Sequence, residues 1–197
     1  LVGQIVQAID DEGLGEKTIV IFTGDNGTQG AGKGEVTEMG ARVPCIVRCP
    51  GTVRSGIVSD EVVDLTDVLP TLVDFAGARL PADREIDGVS LRPTLTGETA
   101  PHREWIFSYL HEQRILRDKR WLLEGDGRFY DCGDSRDGSR YVDVTDSNDV
   151  EATEARRRFD EILDNLPAPT GLDPDPTMQH RKQAAALRRQ TKKDSTP

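Results

Sequence analysis

Asp25, Asn26 and Lys33 are the residues whose types and spacing could do chemistry together. They share one glycine-rich stretch, GDNGTQGAGKG, from Gly24 to Gly34. A carboxylate and an amide carbonyl are hard oxygen donors, suited to Ca²⁺ or Mg²⁺. Two donors do not complete such a site, so other ligands must come from elsewhere. A neighbouring ammonium would then be a cationic partner for an anionic substrate held on the metal. The competing reading is structural. Asp-Asn-Gly is excellent turn chemistry, and a loop lysine can simply be solvated.

The same stretch nearly spells a phosphate-binding P-loop, G-x-x-x-x-G-K-[ST]. Gly34 stands where the magnesium-binding hydroxyl belongs. A P-loop must also open a full helix, whose N-terminus favours anions. Only EVTEMGARV separates Gly34 from Pro44, and Gly40 interrupts it. Asp25 would place a carboxylate beside the phosphate cradle. A nucleotide site is therefore excluded.

The elements around the loop read as an α/β protein. LVGQIVQAIDDEG repeats apolar residues at three-to-four spacing and predicts a helix ended by Gly13 and Gly15. TIVIFT, Thr18 to Thr23, is a β-branched apolar run that suits a strand buried on both faces of a parallel sheet. VPCIVRCPG predicts a second strand, stopped by Pro50-Gly51. Asp64 to Ala76 predicts a helix closed by Gly77, with Pro70 near its first turn. Residues 78–104 read as irregular. WIFSYL, RILRD, RWLLEG and RFYDC then predict a small antiparallel sheet. A helix follows over about 149–166, capped by Asn148 with Glu151, its stripe built from Ala152, Ala155, Phe159, Ile162, Leu163 and Leu166. The fold class is thus α/β: part of a layered α/β/α sandwich, then a small antiparallel sheet with a packed C-terminal helix. The organisation expected is a core part over 1–100, the sheet and helix over 101–166, and a linker and basic tail over 167–197. The tail is expected to be disordered apart from a short helix around 179–190.

Composition narrows the function. The formal net charge of −10 argues against a general nucleic-acid role. Six Lys/Arg in residues 180–197 face one acid, Asp194, so a basic tail follows an acidic body. No apolar run spans a membrane, and no stretch within the sequence reads as a signal peptide. Three cysteines do not make a disulfide framework, and Cys45 and Cys49 are expected to be buried free thiols. The three His residues have no zinc-site spacing with one another or with Cys. His102, after Pro101, suits a surface or local hydrogen-bonding role, while His111 could reach a substrate cleft from the sheet.

FTGDNGTQGAGKGEVTEMGARVPCIVRCPG closely resembles the sulfatase segment that runs through D-N-G, G-K-G, E-G-G-x-R-V-P and P-G. DLTDVLPTLVDFAG, IDGVSLRPTLTGE and RILRDKRWLLEGDGRFYD continue the likeness in order, over roughly residues 1–166. The resemblance is to the C-terminal part of a sulfatase of the alkaline-phosphatase superfamily. It implies that Asp25 and Asn26 bind a divalent cation, usually Ca²⁺, and that Lys33 contacts the sulfate. It implies that Glu38 and Arg42 organise the loop, with Met39 replacing the first paired glycine. The substrate implied is a sulfate-ester small molecule or a sulfated carbohydrate.

The family's nucleophile is a formylglycine made from the Cys or Ser of a C-x-P-S-R motif. It is expected in an N-terminal portion of the same enzyme, so this chain alone is expected to be inactive. Cys132 begins CGDSR, which lacks the proline and falls late in the chain, so it is not expected to be that nucleophile. Opening inside a helix at Leu1, the sequence suggests an upstream portion. The rivals are a phosphodiesterase or phosphonate monoester hydrolase of the same superfamily, and a truncated, non-catalytic module. Family members are often exported or lysosomal, and the sequence does not choose a compartment.

Overall fold

A computed structural model describes residues 1–28, 32–98, 102–110, 113–135 and 140–166. The chain begins with helix α1, Val2–Asp11, which ends as Gly13 takes a left-handed φ of 68°. Strand β1, Val20–Thr23, leads into the glycine-rich loop, which runs to the short helix α2, Glu38–Ala41, and strand β2, Cys45–Arg48. β1 pairs with β2 in a two-stranded antiparallel sheet, Val20 opposite Arg48 and Thr23 opposite Cys45. This corrects the reading of β1 as a parallel strand covered on both faces. Val20 and Ile21 are half-buried, while Phe22 and Ile46 are exposed. The run has the composition of a covered strand, but its described partner is the antiparallel β2 alone. Cys45 is also exposed, against expectation, whereas Cys49 is buried.

A 3₁₀ turn, Leu65–Asp67, feeds helix α3, Val68–Phe75. Pro70 sits in its first turn, where a missing N–H is tolerated, and Gly77 turns out of it with φ 62°. Asp64 and Asp67 cap the start reciprocally: the Asp64 carboxylate accepts from Thr66 N at 2.8 Å, and Asp67 accepts from Asp64 N at 2.9 Å. The segment read as irregular contains one further helix, α4, Arg92–Thr96. It escapes a periodicity search because five residues make little more than one turn.

Asp67 is a fully buried carboxylate and a junction. It accepts from Val89 N at 2.9 Å, pairs with His102 Nε2 at 2.9 Å and is bonded by Arg103. His102 is therefore a buried partner of Asp67 and not a surface residue. Its partner lies far off in sequence, so the local pattern could not reveal it. A buried carboxylate is tolerated only when paired and hydrogen-bonded, and Asp67 meets both conditions.

The second sheet holds the core. Strands β3 (Ile106–Leu110), β4 (Gln113–Arg117), β5 (Trp121–Leu123), β6 (Phe129–Asp131) and β7 (Val142–Asp143) pair antiparallel in that order. Four of these match the sequence expectation; the two-residue β7 is too short to signal itself. Helix α5, Val150–Asn165, follows. Its cap is Asp149 and not Asn148: the Asp149 carboxylate accepts from Glu151 N at 3.0 Å and Ala152 N at 3.2 Å.

Alternation divides the sheet's side chains between two faces. On one, Leu116, Leu123 and Phe129 line up across β4, β5 and β6. Trp121 stacks on Phe129 at 5.4 Å between ring centroids, and Phe159 of α5 meets Phe129 edge-on at 5.5 Å. Burying a residue such as Phe159 contributes about 1.5–3 kcal/mol. On the other face, Ile115 and Leu122 cluster with Cys132 and with Val36 from the glycine-rich loop. The sheet thus lies between α5 and the loop that carries Lys33.

Two compact units divide the chain, Leu1–Glu161 and Ile162–Pro197. Of the second, residues 162–166 are described, and 162–165 complete α5. The expected linker, basic tail and short helix around 179–190 lie outside the described residues, as does His111.

Candidate functional site

The candidate site is built from backbone before side chains. β1 delivers Asp25 and Asn26 just past its last residue, Thr23. The chain then doubles back: Gly27 N donates to Gly40 O at 2.9 Å. Further along, Gly32 N and Lys33 N both donate to Thr28 O, at 2.9 and 3.0 Å. Glycine is obligatory at this crossing. A Cβ on Gly27 would lie 1.8 Å from the Met39 carbonyl oxygen, and one on Gly32 would lie 1.9 Å from the same atom. A Cβ on Gly40 would meet Glu35 O at 2.1 Å. Gly27 follows Asn26 and Gly32 precedes Lys33, so one carbonyl gathers the two halves of the candidate site. The resemblance's missing glycine is also explained. Position 39 presents its carbonyl to the crossing, while the Met39 side chain is exposed.

The side chains fit oxygen chemistry in type. Asp25 is exposed, Asn26 is half-buried, and the Asn26 amide nitrogen donates to Asp25 Oδ1 at 2.7 Å. That contact sets a carboxylate and an amide side by side. These two suit a hard cation but fill only part of the six to eight oxygens that Ca²⁺ takes. Among the described residues, no group of three or more His, Cys, Asp or Glu could hold a metal ion. Lys33 is exposed, as an anion contact requires. The absence of a P-loop helix is plain, since α2 spans four residues.

Glu38 turns inward to the scaffold, while Arg42 stays exposed. Arg42 reaches Glu38 Oε1 at 3.4 Å, and the Tyr141 hydroxyl donates to the same oxygen at 2.8 Å. The Arg117 guanidinium lies 3.9 Å from it and bonds the Cys132 sulfur at 2.8 Å. Burial, and then Glu38 as acceptor, push the Tyr141 hydroxyl upward, so it stays a proton donor. Sequence reasoning missed Tyr141, because nothing local marks a partner that far along the chain. Cys132 is buried, and burial pushes its thiol up despite Arg117. A buried, protonated thiol is a poor nucleophile, which agrees with setting CGDSR aside.

Comparison with known proteins agrees with the resemblance. Residues 1–78 match the family model described as Sulfatase. Mouse (Mus musculus) steryl-sulfatase is 38% identical over 139 residues, covering 61% of this chain and 22% of that protein. Human (Homo sapiens) arylsulfatase A is 39% identical over 121 residues, covering 55% of this chain and 24% of that protein. The solved structure of a 2-O GAG sulfatase superposes with a TM-score of 0.66 and 26% identity, over 83% of this chain and 39% of that one. The chain is thus similar to sulfatases, and it spans about a quarter of the length of the curated relatives it matches.

Proposed function

We propose that this chain supplies the C-terminal part of a sulfatase active site, for hydrolysis of a sulfate ester to sulfate and an alcohol. The observation that carries the reading is the glycine crossing, which gathers Asn26 and Lys33 about the Met39 carbonyl. It gives a structural reason for Gly27 of D-N-G and Gly32 of G-K-G, the series that the sulfatase resemblance rests on.

Asp25 and Asn26 would contribute two oxygen ligands to a divalent cation, Ca²⁺ being the one that the sulfatase resemblance implies. A cation there would neutralise sulfate oxygens and stabilise charge developing in the transition state. Lys33 would place its ammonium against the same oxygens. Its exposure and its fixed backbone suit that role, since the side chain is free to reach substrate while the Lys33 N–H is held by Thr28.

The sequence contains no C-x-P-S-R segment, so the nucleophile and the remaining metal ligands would come from a formylglycine-bearing portion of the enzyme. Alone, this chain would be inactive. The substrate class follows from what the relatives share. One is a steryl-sulfatase and another a 2-O GAG sulfatase, and their common chemistry is the sulfate ester, on a small molecule or a carbohydrate.

The test is sulfate release from an aryl sulfate by the chain alone and by the chain co-produced with a formylglycine-bearing N-terminal sulfatase segment. The reading predicts activity only for the pair, and loss of it with a calcium chelator. A pair that cleaves a phosphate diester faster than the sulfate ester would assign it to a phosphodiesterase instead.

A further inference from the structure

We propose that Glu38 is a positioning residue for this site, holding the Lys33 loop in place through the C-terminal sheet. The proposal rests on the role given to Lys33 above.

Glu38 stands immediately before Met39, whose carbonyl is the contact shared by Gly27 and Gly32. There is no slack at that contact, since neither glycine tolerates even a Cβ. The position of the Met39 carbonyl therefore sets the spacing between the D-N-G turn and the Lys33 turn. That position is fixed from the other side of Glu38. Glu38 N donates to Glu124 Oε1 at 3.1 Å, and Gly125 N donates to Val36 O at 3.0 Å. Glu124 and Gly125 directly follow β5, so these bonds tie the loop to the sheet on both sides of Thr37.

The Glu38 carboxylate completes the tie. Its Oε1 accepts from the Tyr141 hydroxyl at 2.8 Å and lies within ion-pair reach of Arg42 and Arg117. These partners are themselves held. The Arg117 guanidinium lies 5.3 Å from the Tyr141 ring centroid and is bonded to the Cys132 sulfur. The Glu38 side chain is only 14% exposed, so these bonds are shielded from competing water. Arg117 and Tyr141 on one mostly buried carboxylate form the anchor, with the exposed Arg42 beside it, and the anchor is one residue from the crossing. Glu38 acts on Lys33 through the Met39 carbonyl, without touching substrate.

Hydrogen exchange of the full 197-residue chain at low micromolar concentration tests this without metal, sulfate or activity. The reporters are the amides of Gly27, Gly32 and Lys33, each bonded within the loop. Glu38→Ala is expected to speed their exchange about 10-fold, while the β4–β6 amides change less than about 2-fold. Glu38→Gln keeps the oxygen acceptor and should stay within about 3-fold of the parent. Tyr141→Phe removes one donor and should speed the loop amides alone by about 3-fold. Should Glu38→Ala not fold, the other two variants decide. Unchanged loop exchange in Tyr141→Phe overturns the proposal, as does equal acceleration of loop and sheet. Because no substrate is involved, failure here leaves the sulfatase reading standing, and an inactive enzyme pair leaves this coupling standing.

Discussion

The two sheets of this chain show opposite relations between apolar sequence and burial. In the five-stranded sheet, Leu116 and Phe159 are 0% exposed, and α5 and the Val36 loop cover the two faces. In the β1–β2 ribbon, Phe22 is 42% and Ile46 60% exposed, and α1 buries no residue. Yet β1 is mostly apolar, with Val20, Ile21 and Phe22 in a row. The difference is one of partners. Residues 106–159 contain both the sheet and the part of α5 that covers it, whereas α1, β1 and β2 present apolar surface that the described residues do not cover. Exposed apolar area of this kind marks an interaction surface. The candidate site sits where these regions meet: β1 delivers Asp25 and Asn26, and the covered sheet anchors the loop that carries Lys33.

This contrast is open to measurement. The largest effect is expected at Asp67, which ties the α3 cap to Val89, His102 and Arg103. Asp67→Ala strands a buried guanidinium and a buried imidazole and should cost about 3–5 kcal/mol in chemical denaturation. Phe159→Ala, within the covered sheet, should cost about 3–4 kcal/mol, through lost burial plus the cavity left behind. Asp149→Ala removes the α5 cap and should cost about 1 kcal/mol. Ile46→Ser, on the exposed ribbon, should change stability by less than about 0.5 kcal/mol. If Ile46→Ser instead costs as much as Phe159→Ala, the ribbon is covered in solution and the contrast fails. A companion measurement sharpens it. Sedimentation velocity of the 197-residue chain should show concentration-dependent self-association, weakened by Phe22→Ser with Ile46→Ser. A monomer at all concentrations would mean that the ribbon finds cover within the chain.

The sequence was legible where a signal is local and repeated. Apolar periodicity located α1 and α5, short strand-like runs between turn signals located β3 to β6, and Gly13 and Gly77 ended their helices as their left-handed φ values require. It misled where structure depends on neighbours. β1 reads as a covered parallel strand because composition records the environment a strand is suited to, not the partner it meets. His102 reads as a surface or locally hydrogen-bonded residue because its partner, Asp67, lies far back in the chain. At the site, the residue types that could do chemistry stand out in D-N-G and G-K-G. The reason for its glycines was not, since the close approach of the Met39 carbonyl to Gly27 and Gly32 exists only in three dimensions. Tyr141 and Glu124, which anchor Glu38, carry no local pattern at all.

The measurement that bears most directly on the account is aryl sulfate hydrolysis by the formylglycine-bearing pair, with Lys33→Ala compared against the parent chain. Loss of a charged donor aimed at the reacting sulfate should lower kcat about 10²–10³-fold. The folded state should be unchanged, because the exposed Lys33 side chain supports no core contact. An active pair whose kcat is untouched by Lys33→Ala would contradict the account, since the loop would then be scaffold and not part of the site.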